Sequence, residues 1–214
     1  KAIKDEKDST IVETQLTTDG EKDFGYGSGF GRGDDNVEEE KKKNDRKRAN
    51  ILWSANSGEF ILTKTDQRKI KDLWVIHNTR DPRPTLETYK YSMPGEKEQP
   101  QTELLHYSFD SKELKKLSIS TFKDQTVSLW STTPPTNTRD DDFRPATWLG
   151  DLNEFYFAIT SRDLKRVDVV RWNIASGQKE VVIEERSNTY IDFEKIEIVG
   201  NELIWWSERD GWGH

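Results

Sequence analysis

The chain has 214 residues, enough for one domain with a sizeable core, and a net charge of −7 with both signs interspersed. No basic face favours nucleic acid as a partner, and no apolar run approaches the roughly 18 residues that a membrane-spanning helix needs. Cysteine is absent, which excludes a disulfide framework and thiol chemistry.

Aromatic residues make up a large share of the apolar residues. Charged residues make up 34% of the chain and apolar residues only 32%, a low apolar fraction for a folded domain. The chain nevertheless contains 8 Trp, 9 Phe and 6 Tyr. We therefore expect a core that is aromatic rather than aliphatic.

The first predicted strand covers residues 13–18 and ends in a turn at Asp19-Gly20. A glycine-rich run, 25–33, follows. A serine nucleophile elbow needs glycine two residues on either side of the serine, but Ser28 has Tyr26 and Phe30 there. The glycine spacing also fails the dinucleotide-binding pattern. We interpret the run as a flexible or bulged connection.

A block of acidic residues followed by basic ones covers 34–48. Such a block is typical of a solvated loop. Residues 34–47 contain a single apolar side chain, Val37, so burial offers little to offset the entropy of ordering them. The sequence therefore predicts a mobile loop from Asp34 to Lys47.

The clearest repeated pattern begins at residue 49. Strand 51–54 contains Trp53-Ser54, a turn follows at 56–58, and a second strand covers 59–65. This succession is typical of a β-propeller blade. Further strands are predicted at 73–76 and 102–109, and prolines keep 80–100 extended. His77 is interpreted as a surface residue without a metal role, and His106 as a packed or surface histidine.

The second half repeats the pattern. Strands are predicted at 114–119, 127–131, 146–149 and 155–160, a loop at 132–143, and a hairpin from 169–174 and 179–183. Glu184-Glu185 ends an outer strand, where a charged pair is expected at the surface.

The last predicted strand, 202–206, ends in Trp205-Trp206, whose side chains point to opposite faces, so we expect both faces to be covered. Arg209-Asp210-Gly211 is predicted to be a tight turn. A strand that ends at its own turn, and a start at Lys1 without an initiator methionine, suggest a piece of a longer protein.

Trp53, Trp148 and Trp206 mark three blade starts at uneven spacing. The predicted fold is all-β: part of a β-propeller with several four-stranded antiparallel blades. Residues 1–214 are expected to form about three to four blades of one propeller domain.

Several stretches carry a resemblance to a known family. Residues 206–214 are similar to the segment that enters a late propeller blade in the dipeptidyl peptidase IV family of prolyl oligopeptidase-like serine peptidases. Further similar stretches lie at 49–72, 80–109, 161–168 and 184–190. The resemblance implies a propeller above an α/β-hydrolase domain that carries the Ser-Asp-His triad. That domain is expected to be absent from 1–214, so the chain alone should be catalytically inert.

The resemblance also implies a binding site. Members of the family have a pair of glutamates shortly before a Trp-Ser strand, and these bind the free amino terminus of the substrate. Here Glu38, Glu39 and Glu40 are the only glutamate cluster upstream of Trp53-Ser54. The cluster lies too far upstream, and the family's spacing falls on Lys42 and Lys43. Either an insertion displaces the pair, or this chain lacks it.

The implied function is to gate and position peptide substrates for a serine exopeptidase that removes dipeptides from peptide amino termini. The alternative is a non-catalytic propeller that serves as a protein-binding scaffold. A Gly-x-Ser-x-Gly elbow downstream in the parent reading frame would decide for the peptidase. Peptides and the parent's hydrolase domain are the expected partners, and no cofactor or metal site is expected.

Two further expectations concern the environment of the protein. The resemblance implies a periplasmic or secreted location. Aromatic residues on or beside the inner strands predict exposed apolar flanks, and hence self-association of the isolated chain.

Overall fold

The computed structural model describes residues 14–26, 35–45, 49–132, 147–194 and 196–213. Within these ranges the chain forms fifteen strands and one short helix, which confirms the all-β prediction. No helix in the described ranges has both the length and the apolar character to cross a membrane.

The first sheet is built around two long antiparallel strands, β3 (Glu59–Asp66) and β6 (Gln101–Ser108), which pair over their full length of eight residues. Its seven strands, in chain order, are β1 (Phe24–Gly25), β2 (Ile51–Trp53), β3 (Glu59–Asp66), β6 (Gln101–Ser108), β7 (Glu113–Lys116), β9 (Ser131–Thr132) and β10 (Thr147–Trp148). The spatial order is β7-β6-β3-β2-β10-β9, with β1 beside β3. Strands β2, β3, β6 and β7 form a four-stranded antiparallel unit, as expected of a propeller blade.

A hairpin is inserted between β3 and β6. It consists of β4 (Asp72–His77) and β5 (Thr85–Lys90), which pair antiparallel from Asp72 opposite Lys90 to His77 opposite Thr85. Among the described residues the hairpin forms a two-stranded sheet of its own. The predicted strand at 73–76 is thereby confirmed and extended.

The second sheet has four antiparallel strands in the order β13-β12-β11-β8. They are β8 (Thr126–Leu129), β11 (Glu154–Thr160), β12 (Arg166–Asn173) and β13 (Lys179–Arg186). Gly150 precedes β11 with a φ of 139°, and a Cβ there would lie 2.2 Å from the carbonyl oxygen of Glu154. Glycine is needed at this position because a side chain has no room.

A third, small sheet follows. It consists of β14 (Glu197–Val199) and β15 (Glu202–Ile204) around a turn at Gly200. The turn at Arg209-Asp210-Gly211 is confirmed, because the Gly211 amide donates to the carbonyl oxygen of Glu208 at 2.9 Å.

Three apolar clusters lie in succession, on the outer side of the first sheet, between the two large sheets, and beyond the second. Alternation along β3 sends Ile61 to the central cluster and Phe60 and Leu62 to the outer one. Along β11, Phe157 joins the central cluster and Tyr156 the third. Both sheets therefore bury residues on both faces, as successive blades of a propeller do.

Three of the predictions about strands and loops fail. Residues 14–18 form no strand, because the segment is held by the Lys64 side chain, which binds Asp19, instead of by a ladder. The strand predicted at 202–206 ends at Ile204, and the expected cover over both tryptophans is incomplete, since Trp206 is 55% exposed. The predicted loop at 34–47 contains a helix, described below. The glycine-rich run from Gly27 to Gly33, with Ser28, lies outside the described residues, as does the loop from 133 to 146.

Candidate functional site

Helix α1 (Asn36–Lys41) carries the three candidate glutamates. The side chain of Asp35 caps it by accepting hydrogen bonds from the amides of Val37 at 2.9 Å and Glu38 at 3.0 Å. The hydrogen bond from the Glu38 amide is the largest of the effects that hold the pKa of Asp35 below its ordinary value. The interpretation of this segment as a loop is therefore wrong for 36–41, because an aspartate at the cap satisfies amides that a short helix would otherwise leave unpaired.

The glutamates of α1 do not form a converging pair. The Glu38 carboxylate forms an ion pair with the Lys41 ammonium, with 2.8 Å between Oε1 and Nζ. The Glu40 carboxylate forms another with the Lys43 ammonium, with 2.6 Å between the same atoms. Each pairing raises the pKa of its lysine, through the hydrogen bond to the carboxylate. Glu39 is exposed and forms no ion pair with the residues that the structure describes. The lysines are also exposed, so water weakens both pairs and a competing ammonium group could displace them.

The side chain of Asn36 fastens helix α1 to the β4–β5 hairpin. The Oδ1 atom of Asn36 accepts from the backbone amide of Thr88 at 2.9 Å, and its Nδ2 atom donates to the Thr88 hydroxyl at 3.0 Å. We call this two-bond contact the Asn36–Thr88 clasp. The sequence analysis missed both residues, since 52 positions separate them and no short motif contains them.

The hairpin has one covered and one open face. Trp74 is 70% exposed and Ile76 is 69% exposed, whereas Leu73 and Val75 on the other face are half-buried. His77 is half-buried, with its Nε2 atom 2.8 Å from a carboxylate oxygen of the buried Glu87. His77 therefore lies at the surface of the hairpin, as expected, with 29% of its side chain exposed and its ring held by Glu87.

The other assigned histidine is His106 in β6. Of the two predicted alternatives, a packed or a surface histidine, the structure shows the packed one. The His106 Nε2 atom lies 3.2 Å from a carboxylate oxygen of Glu59, and the ring centre lies 6.4 Å from that of Trp148. Among the described residues, no three His, Asp or Glu side chains group in a way that could hold a metal ion.

A second polar site was missed by the sequence analysis. Glu184 is exposed as predicted, but Glu185 is only 4% exposed. Its carboxylate accepts from the indole N–H of Trp205 at 2.8 Å and from the guanidinium of Arg209. The surface assignment of Glu185 is therefore wrong, since alternation along β13 turns it inward, where two long-range donors compensate its charge.

Glu185 lies at a shallow cleft between residues 185–193 and 206–209. Burial alone would raise the pKa of Glu185, but the hydrogen bonds from Arg209, Trp205 and Ser207 outweigh it and hold the pKa below its ordinary value. The carboxylate is already satisfied by the chain itself, so its observable role is to attach the turn at 207–211 to the second sheet.

The sequence matches a known protein family over nearly its whole length. The model of the dipeptidyl peptidase IV (DPP IV) N-terminal region matches residues 3–214. The chain belongs to this family. The domain that the family model represents is a β-propeller, in agreement with the stacked sheets described above.

Two solved structures show the same fold. Dipeptidyl peptidase 4 from Porphyromonas gingivalis aligns with a TM-score of 0.67 at 18% identity, over 95% of this chain and 26% of that one. A Bacteroides ovatus structure named for dipeptidyl aminopeptidase IV aligns with a TM-score of 0.63 at 16% identity, over 94% of this chain and 25% of that one. The chain thus spans about a quarter of the length of either protein. No curated protein sequence matches it.

Proposed function

We propose that the chain is the substrate-gating and substrate-positioning part of the propeller of a dipeptidyl peptidase IV-like serine exopeptidase. The observation that carries the proposal is the family match over residues 3–214. In the whole protein, an α/β-hydrolase domain would supply the catalytic triad and this region would orient the peptide. Peptides with a free amino terminus are then the substrates, and dipeptides are the products.

The carboxylates of α1 are the groups we assign to the substrate's amino terminus. A protonated amine forms charge-assisted hydrogen bonds with carboxylates, and α1 presents three carboxylates at successive positions. Glu39 needs no rearrangement to accept such a bond, since it has no ion pair among the described residues. Glu38 and Glu40 would exchange the ammonium groups of Lys41 and Lys43 for that of the substrate.

The test compares a peptide that begins Ala-Pro with its N-acetylated form. Titration calorimetry on the chain should show the free amine binding about tenfold more tightly, roughly the effect of one charge-assisted hydrogen bond. Replacing Glu38, Glu39 and Glu40 together by Gln should remove the preference. The matched control is Glu113→Gln, because Glu113 is an exposed glutamate that also pairs with a nearby lysine, Lys115 at 3.2 Å.

Equal affinity of the unaltered chain for the two peptides would overturn the amine site and favour the non-catalytic scaffold.

Two parts of the proposal concern the chain's surroundings: a periplasmic or secreted location, and self-association through exposed aromatic residues such as Trp206. Sedimentation at increasing concentration tests the second, and a monomer throughout would contradict it.

A further inference from the structure

Helix α1 has little stability of its own. It is six residues long and buries none of them. Isolated helices of this length do not form in water, because nucleation fixes several residues for a single hydrogen bond. Contacts outside the helix must therefore keep it folded and in place.

The contacts that can do so lie at its amino-terminal end. Asp35 is buried and provides the cap, and Asn36 provides the clasp to Thr88. With a rise of about 1.5 Å per residue, the glutamates lie about 3–6 Å along the axis from Asn36. A helix held at one end transmits any tilt at that end to the groups farther along. The positions of the carboxylates therefore depend on the clasp.

The hairpin is a suitable support. Six residue pairs join β4 to β5. At its base, Lys90 bonds Asp72 at 3.0 Å and lies 3.8 Å from Asp23, and the amide of Tyr91 donates to the carbonyl oxygen of Lys71 at 3.1 Å. Thr88 is two residues from Lys90, in the part of β5 that is tied to the sheet.

We propose that Asn36 and Thr88 are positioning residues, which hold the carboxylates of α1 at a fixed place on the β4–β5 hairpin so that they meet the substrate's amino terminus. This inference rests on the proposed function for its ligand. Neither residue touches the substrate; each acts through the helix. The inserted hairpin is then a structural part of the amine site.

The test measures two properties of the same variants. The first is hydrogen exchange of the α1 amides by mass spectrometry. The second is the ratio of affinities for the free and N-acetylated peptides. Asn36→Ala should speed exchange in 37–41 and reduce the affinity ratio about five- to tenfold, since two hydrogen bonds are lost. Thr88→Val should give a smaller change, and Thr88→Ser should restore both properties by keeping the hydroxyl.

Asn44→Ala is the matched control, because Asn44 is an exposed asparagine just beyond the same helix. It should leave both measurements unchanged. A general loss of folding would instead alter exchange in β11 and the affinity for both peptides equally.

The two proposals fail in different ways. If the glutamine variants abolish the amine preference while Asn36→Ala changes neither exchange nor preference, the clasp is overturned and the amine site stands. If Asn36→Ala speeds exchange but leaves the preference intact, the positioning role is overturned. If the unaltered chain shows no amine preference, the proposed function fails, and with it the role assigned to the clasp.

Discussion

The two large sheets and the segments around them are held in different ways. Between the sheets, apolar side chains such as Phe155, Phe157 and Val170 pack with no exposed surface. The peripheral segments bury little, and each is fastened by a polar contact, which we call a polar clasp. The three clasps are Lys64 with Asp19, Asn36 with Thr88, and Glu185 with Trp205 and Arg209.

The difference shows where order comes from in each region. An apolar core shares its stabilisation among many contacts, so a sheet keeps its place if one contact weakens. In a polar clasp the stabilisation comes from only two or three hydrogen bonds between groups that are far apart in sequence. A peripheral segment can therefore detach while the sheets remain folded, and measurements that separate global from local stability should distinguish the two regions.

The largest effect is expected in the core. Phe157→Ala removes a ring that is 0% exposed in β11, an inner strand of the second sheet, and should lower the free energy of unfolding by about 3–5 kcal/mol. Trp74→Ala, on the open face of the hairpin, should change it by no more than about 0.5 kcal/mol. Urea unfolding monitored by circular dichroism measures both. Similar losses for the two variants would show that the hairpin face is buried in solution.

A smaller loss of stability is expected at the Lys64–Asp19 clasp, and its size should depend on which of the two partners is replaced. The Lys64 ammonium is buried, 2.6 Å from the exposed carboxylate of Asp19 and 3.6 Å from the centre of the Phe24 ring. Asp19→Ala leaves a buried charge without its counter-ion, whereas Lys64→Met leaves a carboxylate that water can solvate. The first variant should be the less stable, and Lys64→Met should cost about 1 kcal/mol. Denaturation midpoints in the reverse order would refute this account.

The smallest effect is expected at Glu185, and it depends on pH. Glu185→Gln should cost about 1 kcal/mol at neutral pH, because the partner Arg209 is half-exposed and water weakens the ion pair. The folded pKa of Glu185 lies below its ordinary value of 4.5, so the stabilisation is present above that value. It is lost as the pH falls through the folded pKa. The stability difference between the two proteins should therefore narrow as the pH falls below 4.5, and a difference that stays constant there would contradict the prediction.

The candidate site could be predicted from the sequence only in part. The glutamate cluster was identified, but the helix that carries it was interpreted as a loop. The signal available was Asp35 before Asn36, a capping residue that a charged background obscures. The attachment to Thr88 has no local signal, because it joins positions 52 residues apart. The inward turn of Glu185 follows from the register of β13 against β12, which the sequence alone does not specify.

Strand positions, turns and the blade pattern were determined by the sequence itself. Period-two alternation and turn-forming residues act over a few neighbours, so β3, β6, β11 and the β12–β13 hairpin are recognisable without a structure. Tertiary structure decided where the segments without periodicity lie. Residues 14–26, helix α1 and the turn at 207–211 are tied to the sheets by polar contacts that include pairs 45, 52 and 24 residues apart, respectively. Such contacts form only after the sheets have brought their partners together, because hydrogen bonding between distant groups leaves no repeating pattern in the chain.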